Sequence, residues 1–210
     1  MENFIISKSN INDLNAFRKV SIDTFIEAYQ KQNSKADIDF YVNKFFSIEM
    51  IAEELNDESR VIYIAKNENE ISGYIKLAIK PIPACVSIKN ALEISRIYVR
   101  QNKYGTGLAQ LLLRKAVEYC RSNQIEALFL AVFQENERAI AFYKKCGFEI
   151  CGQTTFDWGT GKIDQDWWMV LEIWVLRYEY WDLRYTKVGF KIKYNRLFLT
   201  SHISYLKSKA

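Results

Sequence analysis

The apolar positions change period along the chain, and the changes mark its elements. "FIIS" reads as a short strand, and the polar "KSNIND" after it as a turn. From Leu14, apolar residues at Phe17, Val20, Ile22, Phe25, Ile26 and Tyr29 fall at mostly helical spacing, which predicts a first helix. A second helix fits "ADIDFYVNKFF", with Asp37 as its cap, and a third fits "SIEMIAEELN", capped by Ser47. "RVIYIAK" and "ISGYIKLAIK", joined by the polar "NENE", read as a hairpin. Both prolines of the chain, Pro81 and Pro83, fall in "PIPACVSIKN", which makes that stretch a loop.

The second half alternates strand and helix. "ALEISRIYVR" is a strand, a glycine turn follows, and a helix runs to about Arg121. "EALFLAVF" is a buried strand, "NERAIAFYKKC" a helix closed by Gly147, and "FEICGQTTFDW" and "DWWMVLEI" are two further strands. The order β-α-α-α-β-β-β-α-β-α-β-β predicts an α/β (α+β) fold with a mixed sheet of about seven strands and helices on both faces. Hairpins need antiparallel neighbours, whereas the β-α-β crossovers around residues 94 to 150 need parallel ones. One domain over 1–174 is expected, followed by an extension over 175–210.

Composition supports this reading. With 49% hydrophobic and 26% charged residues, the chain of 210 can bury a core. No apolar run approaches a membrane span, and the N-terminus lacks a basic segment followed by a long apolar stretch. Cys85, Cys120, Cys146 and Cys151 form no CxxC pair and His202 is the single histidine, so no metal is expected and reduced thiols in a cytoplasm fit best.

The net charge of +4 is unevenly spread: residues 177–210 carry eight Lys/Arg against Glu179 and Asp182, or +6, leaving −2 for the rest. The basic character therefore belongs to the extension, and nucleic acid is not expected as a partner of the main domain. Basic and aromatic residues interleave in 175–210 in a way that would suit a single-stranded nucleic acid or an anionic membrane, or simply an appended strand or helix.

Chemistry first shows at "YGTGLAQLLLRKA". Gly105 and Gly107 allow a sharp turn and a close approach of ligand to backbone, and the unpaired N–H groups of the following helix add a positive end. Together they suit a phosphate or pyrophosphate. A P-loop is excluded because Leu108 and Ala109 follow Gly107 where Lys and Ser/Thr would be required, and a dinucleotide fingerprint because Gln110 occupies its third glycine position.

About 30 residues later stands "NERAIAFYKKCGF". The turn "YGTGLA" and this NxxAxxFYxxxGF stretch together resemble the two signature regions of the GCN5-related N-acetyltransferase (GNAT) superfamily. "VSIDTFIEAYQKQNS", "LEISRIYV" and "TTFDWGTGKIDQDWWM" further resemble bacterial PaiA-type diamine and polyamine N-acetyltransferases. The resemblance implies a GNAT fold with a mostly antiparallel sheet, acetyl-CoA as cosubstrate, no metal, and transfer of acetyl to a small amine such as spermidine or spermine. Its alternatives are another amine (a protein N-terminus, an amino acid, an aminoglycoside) and a non-catalytic acyl-CoA sensor. A homodimer is left open.

By the same resemblance, residues Tyr104, Gly105, Thr106, Gly107, Leu108 and Ala109 grip the coenzyme pyrophosphate. Tyr104 stands where the superfamily has Gln or Arg, and Lys103 and Gln101 are the neighbours able to replace that contact. Backbone groups of Ile97, Tyr98 and Val99 face the pantetheine arm beside a β-bulge. Asn136 bonds the arm, doubling as a helix cap, and Tyr143 and Lys145 complete the coenzyme set.

Acetyl transfer needs a neutral amine to attack a thioester and benefits from a proton delivered to the departing sulfur. Tyr143 is the candidate acid, since a phenol near ~10 is protonated at neutral pH. Glu93 is the candidate base, acting through a water. Cys146 reads as a packing residue, because GNAT transfer is direct. Asp23, Glu27 and Asp157 are the candidate groups for a cationic substrate, with Asp164 near the last hairpin consistent with the same need.

Overall fold

The structure, a computed structural model, describes residues 3–67 and 70–173; the expected extension over 175–210 lies outside them. Seven strands form one sheet in the order β1-β2-β3-β4-β5-β7-β6. The strands are β1 (Ile5–Lys8), β2 (Arg60–Asn67), β3 (Glu70–Ala78), β4 (Ala91–Val99), β5 (Ala127–Phe133), β6 (Glu149–Asp157) and β7 (Ile163–Glu172). Between them run α1 (Leu14–Tyr29), α2 (Lys35–Phe45), α3 (Ile48–Asn56), α4 (Leu108–Ser122) and α5 (Glu137–Lys145). Every expected element is present.

Period-two alternation decides which face each strand residue covers. In β2, Val61, Tyr63 and Ala65 join the cluster beneath α4 and α5, while Ile62 and Ile64 join the cluster under α1, α2 and α3. In β5, Leu128, Leu130 and Val132 face α4 and α5, and Ala127 and Phe129 face the other way. There the covering is not a helix. Ile82, Cys85, Val86 and Ile88 of the proline loop pack on Ala127, Phe129, Trp168 and Val170.

Local chemistry sets the helix ends. Ser47 caps α3 by accepting from Met50 N, as expected. The cap of α2 is Ser34 rather than Asp37: the Ser34 hydroxyl accepts from Asp37 N, and the helix begins at Lys35. Asp37 sits in the first turn, where a carboxylate favours the helix dipole without capping it. Helix α5 closes as a Schellman motif, with Phe148 N donating to Tyr143 O and Gly147 N to Lys144 O. Gly147 has φ +94°, a conformation that glycine adopts without strain.

The crossovers differ from the simple expectation in one respect. β4 and β5 are parallel neighbours, but the β5-α5-β6 crossover does not set β6 beside β5. β7 slides between them, antiparallel to both. The β6–β7 hairpin is thereby brought over α1 and α2, where Trp158 of its turn is 1% exposed and lies 5.9 Å from the Phe25 ring and 5.6 Å from Tyr29. Thr160 donates to Asp37 at 2.5 Å, and Lys162 reaches Asn33.

Candidate active site

The sheet opens at its centre. Parallel pairing of β4 with β5 consists of Ala91 with Ala127, Leu92 with Leu128 and Glu93 with Phe129, and stops there. One step later β4 bulges: Leu77 faces Ile94 but Lys76 faces Arg96, so Ser95 is extra. The bulge turns Arg96 into the α3 side, where Glu54 accepts from Arg96 at 3.0 Å and from Lys76 at 2.7 Å. Glu54 is 5% exposed, and removing it would leave two cations buried, a loss of about 3–5 kcal/mol by analogy with broken buried pairs. Beyond Glu93 the two strands diverge, and Ile97, Tyr98 and Val99 keep ladder partners only on the β3 side, at Ile75, Tyr74 and Gly73. This is the bulged strand that the sequence reading expects.

The glycine turn stands at the open end of β4. Gly105 and Gly107 have φ of +78° and +86°, and a Cβ built on either meets nothing within 4 Å among the described residues. Gly107 caps α4 without a side-chain acceptor, so the first amides of the helix, at Leu108, Ala109 and Gln110, keep unused donors among the described residues. Leu108 is 1% exposed and anchors that end in the core. Thr106 turns its hydroxyl back to Lys103 O at 2.7 Å. Tyr104 is not bare: the Arg138 guanidinium of α5 stacks 3.9 Å from its ring centroid. A cation is thus held beside the turn from a residue that sequence reading did not single out. Both residues lie in quoted signature stretches, but no spacing rule connects them.

Tyr143 comes from α5 on the far side of the opening. It is 8% exposed, packed against Phe142 and Phe148 at ring distances of 5.3 and 5.5 Å. Burial first, then Tyr29 and Cys146, pushes its phenol well above the ordinary tyrosine value. Its hydroxyl therefore stays protonated at any physiological pH. Tyr143 and Tyr29 belong to clusters on opposite faces, so their electrostatic coupling runs across the opening. Asn136 caps α5, accepting from Ala139 N at 3.1 Å, which leaves its NH₂ as a donor. Lys145 lies in the last turn of that helix and is exposed.

On the opposite face the opening is walled by tyrosines and carboxylates. Tyr98 and Tyr29 hydroxyls are 3.5 Å apart, and both phenols are pushed up by burial and, for Tyr98, by Tyr29 beside it. Asp166 on β7 pairs in register with Phe133, four residues past the last β4–β5 rung at Phe129. Tyr98 is five residues past Glu93, one of them the bulge, so Tyr98 and Asp166 stand at the same level on the two sides of the gap. Asp166 is 8% exposed, and burial, then Asp164, raises its carboxyl to about 6. Asp164 is occupied: Trp158 Nε1 donates to it at 2.8 Å and Lys162 lies 3.5 Å away. The Asp166 carboxylate has no hydrogen bond or ion pair among the described residues. Sequence reading missed it, because one Asp among several in "DWGTGKIDQDWW" carries no mark of burial.

The remaining carboxylates divide. Glu93 sits half-buried at the apex, in register with Ala78 and Phe129. Asp23 accepts from Arg100 at 3.0 Å and Lys19 at 2.6 Å; burial works to raise it, but these bonds outweigh burial and hold it below the usual range. Glu27 accepts from Gln101 N at 2.7 Å and lines an open cleft of about 410 Å³ with Glu70, Arg100 and Asn102. Asp23 and Glu27 therefore fasten α1 to the segment entering the glycine turn. Asp157, exposed at the end of β6, accepts from Gly159 N at 2.7 Å and shapes the hairpin turn. The structure groups Glu93, Tyr98, Tyr143 and the glycine turn around one opening and sets Asp157 away at the hairpin tip.

Known proteins agree with this architecture. Residues 15–148 match the pattern of the "Acetyltransferase (GNAT) family". An uncharacterised N-acetyltransferase of Lactobacillus delbrueckii subsp. lactis is 31% identical over 135 residues, 64% of this chain and 78% of its own. One from Mycobacterium bovis is 29% identical over 163 residues, covering 78% of this chain and 99% of its own. Among solved structures, the PaiA N-acetyltransferase of Thermoplasma acidophilum in complex with coenzyme A superposes with a TM-score of 0.67 at 21% identity, over 81% of this chain and 99% of that one. The ribosomal-protein-S18-alanine N-acetyltransferase of Escherichia coli gives 0.60 at 16%, over 85% and 100%. With the family pattern spanning most of the described residues and the split sheet matching the fold, the chain belongs to the GNAT family of N-acetyltransferases.

Proposed function

We propose that the protein moves the acetyl group of acetyl-CoA directly onto a primary amine of a polyamine such as spermidine or spermine. The observation that carries the reading is Asp166, a largely buried carboxylate without a hydrogen-bond or ion-pair partner among the described residues, at the tyrosine-walled mouth of the split sheet on the face opposite Tyr143. A flexible cation asks for carboxylate and aromatic surface more than for a shaped pocket. Tyr98 and Tyr29 supply the second, Asp166 the first, and Asp164 keeps Asp166 from being the sole negative group there.

The coenzyme is the thioester donor. The amides from Gly105 to Ala109 would hold its pyrophosphate, with the Arg138 guanidinium beside Tyr104 providing the side-chain charge that Tyr104 itself lacks. Strand β4 past its bulge and the Asn136 amide would hold the arm. Asp166, with a carboxyl near 6, is ionised at neutral pH and accepts the proton of the incoming ammonium. Glu93 at the apex is the second carboxylate on that face and acts through water. Tyr143, protonated throughout, donates to the sulfur as it leaves.

The test is a screen of spermidine, spermine, putrescine, aminoglycosides, amino acids and peptide N-termini with acetyl-CoA, following released thiol. Spermidine or spermine should give the highest kcat/KM. Turnover of peptides with none of polyamines would discard the polyamine reading and keep the acetyltransferase; coenzyme binding without turnover of any amine would favour a sensor.

A further inference from the structure

Cys85 and Cys151 are separated by 66 residues in the sequence, yet their Sγ atoms lie 2.8 Å apart. Both are half-buried, whereas Cys120 and Cys146 are buried in the core, so this pair alone among the cysteines combines contact with access. Cys151 occupies a bulge: the β6–β7 register slips between Ile150 and Gly152, and Cys151 is the extra residue. Cys85 comes from the proline loop between β3 and β4 and lies over Gly152, where a Cβ would approach its Cβ and Sγ to 3.0 Å. Glycine at that position lets the loop thiol settle onto the strand.

We propose that Cys85 and Cys151 form a reversible disulfide site that staples the proline loop to β6, with a small-molecule disulfide such as oxidised glutathione as the oxidant. The Cys85 thiolate attacks one sulfur of the oxidant, whose S–S bond breaks, and a glutathione thiolate departs to take a proton. Cys151 then loses its proton and attacks the Cys85 sulfur of the mixed disulfide. The Cys85–Cys151 bond forms and the second glutathione leaves as thiol. Two protein thiols are oxidised and one oxidant molecule is reduced to two thiols.

Three features set the order of the two attacks and the consequence of closure. The attacking sulfur is already in contact, so no strand has to move far. Burial, reinforced by Cys85 itself, raises the Cys151 thiol to about 12, so the first attack falls to Cys85; the part of that rise due to Cys85 goes once Cys85 is in the mixed disulfide, and the contact between the sulfurs offsets the low thiolate fraction that burial leaves. The joined segments are a loop from the middle of the sheet and its edge strand β6, so closure fixes the cover over Phe129 and Trp168, whose rings are 5.9 Å apart. A bond spanning that many residues removes freedom from the unfolded chain.

The experiment incubates the full chain with oxidised glutathione or with dithiothreitol, alkylates free thiols, and maps peptides without reduction. Cleavage after Glu149 separates Cys146 from Cys151 and makes the assignment unambiguous. The expected result is a Cys85–Cys151 linked peptide, an intact mass two hydrogens lower, and a Tm several degrees above the reduced form; Cys85→Ser should abolish the link and the Tm difference together. Gly152→Ala, which wedges Cys85 off the strand, should slow closure severalfold. A wild-type chain that keeps four alkylatable thiols, or that retains glutathione on Cys85 without closing, overturns the proposal. Both readings use the wild-type protein, so they stand even where a variant fails to fold.

Discussion

At the scale of single residues, the opposed faces of the opening make separable predictions. Tyr143→Phe keeps the ring in its place between Phe142 and Phe148 and removes only the hydroxyl that would donate the proton. Turnover should fall by about one to three decades while coenzyme KM changes little, since general acids contribute on that order; near wild-type kcat with chemistry rate-limiting would take Tyr143 out of the mechanism. Asp166→Asn has two readouts. Because the folded-state carboxyl is raised, its contribution to stability is complete below the unfolded value of 3.8 and is lost as pH climbs through about 6. At pH 7.5 the charged Asp166 therefore costs the wild type on the order of 2–3 kcal/mol, taken from the shift at ~1.4 kcal/mol per pH unit. Urea unfolding should find Asp166→Asn more stable at pH 7.5, with the gain shrinking toward pH 4. The acid limb of kcat/KM near pH 6 should vanish with it. A stability difference that ignores pH would contradict both the burial and the role.

At the scale of elements, the glycine turn and the helix behind it act as a unit. Gly107→Trp adds bulk to a cap that has open space around it and a φ of +86°, which a non-glycine residue adopts only under strain. Calorimetry should show coenzyme affinity reduced at least tenfold; unchanged affinity would move the pyrophosphate elsewhere. This unit was legible in the sequence because glycine spacing and helical period are local signals. The cap of α2 was not. Ser34 and Asp37 are both good capping residues three apart, and only the observed start at Lys35 decides that one accepts the amide of the other. The insertion of β7 between β5 and β6 was equally hidden, since strand order within a sheet is a non-local choice on which periodicity is silent.

For the molecule as a whole, the element order and the two helical faces were readable because burial repeats every two or every three to four residues, and the family because "YGTGLA" and "NERAIAFYKKCGF" resemble its two signature regions. The convergence of side chains was not. Asp166 comes within electrostatic reach of Tyr29 across a chain separation that leaves no trace in composition, Arg138 reaches Tyr104 between two signature stretches, and Asp23 and Glu27 hold Arg100 and Gln101. Each of these depends on how α1, the glycine turn and the last hairpin are assembled around the open strands.

The interruption after Glu93 also divides the protein's cohesion. The strands β1 to β4 are laced by long antiparallel ladders, as are β5 to β7, but the two groups share only the rungs from Ala91 to Glu93, with the helices bridging above and below. A seam so short is the natural boundary between cooperative folding units, and it runs through the candidate site. Under the proposed function the pantetheine arm would lie along that seam between the two groups, so that the cosubstrate would double as a clasp.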